Sequence, residues 1–138
     1  MKTHTTNYRN TLIEVADDSS ATCGTTPPIK GDSPSIANIQ FDFVSKHPYE
    51  YTSDDVVFET FAVKNELIES ELESARTLFF SKGQACLRCS PLSKRYGWGV
   101  HSNAEGKIAI FGVESEEYER LLNDASVEKV KAMRSTRK

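Results

Sequence analysis

Two short apolar segments, Tyr96–Ser102 and Lys107–Val113, flank Asn103-Ala104-Glu105-Gly106, and this arrangement constrains the fold more than any other stretch of the chain. Alternating aromatic and β-branched residues on either side of a glycine-containing turn read as a β-hairpin with a four-residue loop. If Ser102 pairs with Lys107, then Tyr96, Trp98 and Val100 share a face with Ala109, Phe111 and Val113, and that face is the core side. The opposite face then carries Arg95, Gly97, Gly99 and His101 against Ile108, Ile110 and Gly112. The missing side chains leave a shallow groove between Arg95 and His101. Glycine inside a strand marks close approach by another backbone or by a ligand, so the groove suits either a packed helix or a bound molecule.

A hairpin alone is marginal and needs partners. TLIEVA at 11–16 is rich in β-branched residues and stops at Asp17-Asp18-Ser19-Ser20, which predicts an opening strand. Ser33 and Pro34 make a helix start, followed by Ile36, Ile39, Phe43 and Val44 at helical spacing until Pro48. Thr52-Ser53-Asp54-Asp55 resembles a capping box with a shorter acid, ahead of Val57, Phe58, Phe61 and Ala62. A strand through VVFETFAV is the competing reading of that segment. Ile68, Leu72, Ala75 and Phe79 recur at i, i+4, i+7 and i+11 and predict a helix over 66–81, with Gly83 as its stop. Ser115 caps a final helix, EEYERLLND, and VEKVKAMRS follows as strand or helix.

The expected fold is therefore α+β: a single domain over 1–138, with an antiparallel sheet including a hairpin near 96–113, packed with three to four helices. The stretch from Asp17 to Pro34 is rich in Ser, Thr, Gly and Pro and reads as a loop. Connections of this length are uncommon unless they cover or bind something.

Composition narrows the class. The chain has 138 residues, of which 38% are hydrophobic and 27% charged, as in ordinary globular domains. No run approaches the ~20 apolar residues of a membrane span, and the polar start MKTHTTNYRNT has no secretory apolar core, so no membrane partner is expected. Three cysteines are an odd number, which excludes a complete disulfide framework and fits a reducing, cytoplasmic location.

Charge is distributed unevenly. The formal charge is −3, yet no Asp or Glu occurs from Ser74 to Ala104, a window holding Arg76, Lys82, Arg88, Lys94 and Arg95. Without those five bases the chain would have 12 basic against 20 acidic residues, or −8. A local excess of one sign concentrates ligands of the other. The expected function is thus binding of a small anionic or phosphorylated molecule through Arg88, Lys94, Arg95, Tyr96 and His101, with Arg giving two-point recognition and Lys a point charge. Lys129, Lys131, Arg134, Arg137 and Lys138 form a second basic group, either a solvated terminus or an extension of the same surface.

The window also holds Cys86-Leu87-Arg88-Cys89. If QACLRC is a strand, positions three apart point to opposite faces, so Cys86 and Cys89 do not chelate one ion or bridge. No second close pair of ligands exists, so neither metal nor cofactor is expected. Cys86 and Arg88 would share a face, and a neighbouring guanidinium favours the thiolate. This makes Cys86 a candidate catalytic nucleophile, with His101 as base if the fold brings the two together. Asp17-Asp18 and Asp54-Asp55 read as turn and capping residues. Nucleic-acid binding is disfavoured by net acidity and by the inward orientation expected for Tyr96 and Trp98.

The strings TTNYRNTLIEVADD, YTSDDVVFE, FFSKGQACLR, SPLSKRYGWGVHSNAEGKIAIFGVESEEY and VKAMRS resemble, end to end, a family of small, functionally uncharacterised microbial proteins of about this length. That family has no assigned activity, so the resemblance implies no mechanism. Its pattern favours Ser at the position of Cys89, which implies that Cys86 is the thiol of interest.

Overall fold

The hairpin forms, but its register differs by one residue from that expected. In the computed structural model, which describes residues 3–29 and 31–134, strand β2 (Trp98–Ser102) pairs antiparallel with β3 (Ile108–Gly112), Ser102 opposite Ile108. The turn explains the shift. Asn103 N donates to Lys107 O at 2.9 Å, Gly106 N donates to Asn103 O at 3.0 Å, and Gly106 is left-handed at φ 81°. A left-handed glycine closing such a turn adds one residue to its strand as a bulge, and a one-residue slip exchanges faces. Trp98, Val100 and Ser102 consequently lie beside Gly112, Ile110 and Ile108, while Gly99 and His101 lie beside Phe111 and Ala109.

β1 (Thr11–Glu14) runs antiparallel to β2, with Leu12 opposite His101, and parallel to β4 (Glu128–Lys131), with Ile13 opposite Val130. The order is β3-β2-β1-β4, so the sheet is mixed rather than wholly antiparallel. The parallel pair exists because the chain leaves β3 at one edge, forms α5 (Glu116–Leu122), and returns on the far edge as β4. VEKVKAMRS therefore contains strand. Ser115 caps α5 as expected, its Oγ accepting from Tyr118 N at 3.1 Å.

Helices α1 (Ile36–Ser45) and α2 (Ser53–Lys64) cover one sheet face. Ile13, Val100 and Ile108 from the strands pack there with Val44, Val56 and Leu87 in one buried cluster. Each such aliphatic side chain contributes about 1.5–3 kcal/mol by leaving water. α3 (Glu69–Phe79) joins through a second cluster, in which its Leu72, Ala75 and Phe79 meet Phe58, Ala62 and Phe80. α4 (Pro91–Lys94) is a single turn and brings the α-helices among the described residues to five.

The capping signals are resolved by geometry. α1 begins two residues later than expected, because Ser35 rather than Ser33 accepts from Asn38 N, at 3.2 Å, and Asn38 Oδ1 accepts in return from Ser35 N. Residues 53–64 are helix. Thr52 Oγ1 accepts from Asp55 N at 3.2 Å and Asp55 Oδ2 accepts from Thr52 N at 3.0 Å, so the shorter acid completes the box. Asp54 ties down the N-terminal stretch by accepting from Thr6 N at 2.6 Å. QACLRC is not a strand. Leu87–Cys89 is a 3-10 turn, and Ser90 starts α4 by accepting from Leu92 N, so the strand-face pairing of Cys86 with Arg88 does not arise. Among the described residues no helix is long and apolar enough to cross a membrane.

Candidate functional site

The five expected ligand-binding residues fall in three separate places. Lys94, Arg95 and Tyr96 follow one another at the C-terminal end of α4. The loop that follows Asp17 covers this end of the hairpin at Thr25, whose N donates to Tyr96 O at 2.9 Å and whose O accepts from Trp98 Nε1 at 2.8 Å. Phe41 packs on Trp98 with ring centroids 5.5 Å apart. Trp98 is thus engaged on two sides, which removes it as a platform for a nucleic-acid base.

His101 lies on the face away from α1 and α2. Its Nδ1 is 2.7 Å from Tyr49 Oη, and the Tyr49 ring also packs against Phe111. Tyr49 has φ 60°, an uncommon conformation for an aromatic residue, and it carries the ring round the edge of β3 onto this face. Burial pulls the His101 pKa below its ordinary value near 6.5, with Asp124 opposing, and burial raises that of Tyr49. At neutral pH the imidazole is therefore uncharged and shares a hydrogen bond with the phenol. A histidine with a depressed folded pKa contributes stability above its unfolded value, and that contribution is lost as pH falls through the folded pKa. We expect His101 to titrate below 6.5 in a histidine NMR titration, and the fall in stability below that pH to become shallower in His101→Gln. An ordinary titration midpoint would contradict this placement.

The glycine-lined groove on that face is occupied. A Cβ placed on Gly99 would lie 2.4 Å from Cε2 of Tyr118, and Val15 N donates to Tyr118 Oη at 3.0 Å. Gly99 is there to admit the α5 tyrosine, so of the two occupants expected for the groove a helix side chain stands at Gly99.

Arg88 belongs to the third place. Cys86 Sγ is 3.5 Å from Tyr8 Oη, and Arg88 acts electrostatically on the same phenol. Burial, then Cys86, raise the Tyr8 pKa while Arg88 opposes them, so Tyr8 keeps its proton and can donate to sulfur. Cys86 also lines a pocket of about 280 Å³ between α1, α2 and the 3-10 turn, with Ile36, Val57, Thr60, Cys89 and Pro91. Its floor is fixed by a buried hydrogen bond from Ser90 Oγ to Gln40 Oε1 at 2.5 Å. Cys86 stands at the helical side of the sheet, adjacent to Leu87 in the core cluster, whereas His101 is on the other side with Tyr49. The expected Cys86–His101 pair does not form. Tyr8, which replaces His101 beside the thiol, had no signal in the sequence: it sits 78 positions away in a polar stretch.

Arg76 of the basic window is balanced by an acid from a distant segment. Arg76 Nη2 is 2.9 Å from Asp55 Oδ1. Arg88 Nε donates to Lys131 O at 2.6 Å, so the C-terminal bases do approach the window at this point. Lys131 is itself 3.1 Å from both Glu14 and Asp17. Arg137 and Lys138 lie outside the described residues. Among the described residues no three His, Cys, Asp or Glu side chains converge to hold a metal ion.

The chain belongs to a family of unknown function, DUF6157, whose model matches residues 3–138. No curated protein and no solved structure matches it.

Proposed function

We propose that this protein is a cytoplasmic binding domain for a small molecule with an apolar body and one anionic group, a carboxylate or a phosphate. The observation that carries the reading is the double position of Cys86, which lines the apolar pocket and whose sulfur meets the Tyr8 hydroxyl beside Arg88. The body of the ligand occupies the pocket, and its anionic group takes hydrogen bonds from Tyr8 and Arg88. Arg88 uses one donor on Lys131 O and has four others. Three free cysteines suit a reducing compartment. Of the basic residues singled out in the sequence, Arg88 is retained in this site. Lys94, Arg95, Tyr96 and His101 stand elsewhere. An enzymatic role for Cys86 is less well supported, because its expected base is on the other face of the sheet and Tyr8 stays protonated.

The test combines thermal shift with thiol protection. A panel of aliphatic and aromatic carboxylates and phosphate monoesters is screened, and binders are scored by slowed iodoacetamide labelling of Cys86, with Cys23 as the internal control. Arg88→Ala is expected to weaken a binder by roughly tenfold or more, the worth of a charged hydrogen bond. Binding that leaves Cys86 labelling unchanged, or that survives Arg88→Ala intact, would remove this site.

A further inference from the structure

Away from this pocket, α1, α2 and α3 enclose two adjoining pockets of about 330 and 310 Å³ that share Phe43 and Glu59. The floor is aromatic: Phe43 stacks on Tyr51 with centroids 4.3 Å apart, and Phe58 lines the first pocket. The Phe58 wall already accepts a cation, which also faces Phe80 outside the two pockets. The Arg76 guanidinium lies 5.6 Å from the Phe58 ring centroid and 5.4 Å from that of Phe80, and it is neutralised by Asp55 at 2.9 Å. Three further carboxylates line the two pockets without an ion pair among the described residues: Glu73 in the first, Asp42 in the second and Glu59 in both. One ammonium, that of Lys64, bonds to Pro34 O at the far end of the second pocket.

We infer that this two-lobed groove binds a linear aliphatic polyamine. An elongated groove with an aromatic floor and carboxylates distributed along it is complementary to ammonium groups separated by methylenes. The methylenes lie on the rings, and each ammonium meets a carboxylate and a ring face together. A compact inorganic cation makes no use of the rings. The inference is independent of the anion site, because the two sites share no residue.

Calorimetric titration of the full chain with spermidine is expected to give saturable one-to-one binding, tighter than putrescine and weaker at higher salt. Glu59→Gln, which removes the carboxylate common to both lobes, is expected to lower affinity by roughly tenfold. Phe43→Leu, which keeps an apolar floor but loses the ring, should lower it as well. Unchanged melting temperature establishes that each variant folds; should Glu59→Gln fail that check, Glu73→Gln carries the same test from an exposed position. The inference is overturned by unsaturable heats, by equal competition from Mg²⁺ at matched charge, by unaltered affinity in the carboxylate variant, or by a lysine-rich peptide binding where spermidine does not.

Discussion

Gly97→Ala is expected to destabilise the protein by about 3 kcal/mol or more, a large share of the ~5–15 kcal/mol typical of a domain. Two costs coincide. Gly97 has φ 79°, a left-handed conformation that costs other residues roughly 1–2 kcal/mol. A Cβ there would also lie 2.2 Å from Cys23 O and 2.8 Å from Cys23 C, backbone atoms that have no rotamer in which to retreat. Overpacking of this kind costs roughly 1–3 kcal/mol. The loop must lift, and with it the Thr25 carbonyl that accepts from Trp98 Nε1. Urea unfolding should show a lower midpoint, and the emission of the single Trp should shift to the red in the folded variant. Gly83→Ala is the control, since its nearest neighbour is 3.9 Å away on the His4 side chain. Equal midpoints for the two variants would refute the seating of the loop on the hairpin.

Tyr118→Ala should be comparably severe, at about 3–5 kcal/mol, the usual cost of deleting a buried aromatic ring. The side chain is 5% exposed and fills the space above Gly99. Its loss opens a cavity and leaves Val15 N without the Oη acceptor it has at 3.0 Å. Tyr118→Phe separates the two effects. It keeps the ring and should cost only about 1–3 kcal/mol for the unsatisfied N–H. The pair is best compared by chemical denaturation, alongside a fall in melting temperature on the order of 10 °C for the alanine variant. If both variants unfold at the wild-type midpoint, α5 does not pack on the sheet as described.

The site residues differ in how far the sequence could reveal them. Arg88 and Cys86 are visible because they are neighbours in a window without acids. Their partner Tyr8 is not, since loop closure across 78 positions leaves no local trace. The missing side chains between Arg95 and His101 announce a groove that suits a helix or a ligand, without saying which. Glycine spacing reveals that something approaches closely, and only the path of α5 decides that it is Tyr118. Similarly, the acid-free window suggested one positive surface. In the fold Asp55 reaches Arg76, and the other bases of the window are spread over separate places, with Arg88 on the Lys131 carbonyl and Lys94 and Arg95 at the end of α4.

Local chemistry by itself determined the helix start at Ser115, the periodic face of α3, the two strands of the hairpin and the opening strand, because caps, periods and turns act within a few residues, whereas the choice between helix and strand at 53–64 came only with the fold. Three local readings were overruled, the first being the α1 start, which moved from Ser33 to Ser35. The Gly106 bulge moved the hairpin register by one, and the Ser90 cap drew QACLRC into a 3-10 turn instead of a strand. Tertiary structure alone decided the parallel pairing of β1 with β4, the separation of Cys86 from His101 and the groove around Phe43. Each depends on which face of the sheet a segment crosses, and that is set by burying the whole chain's apolar surface at once rather than by any segment's own preference.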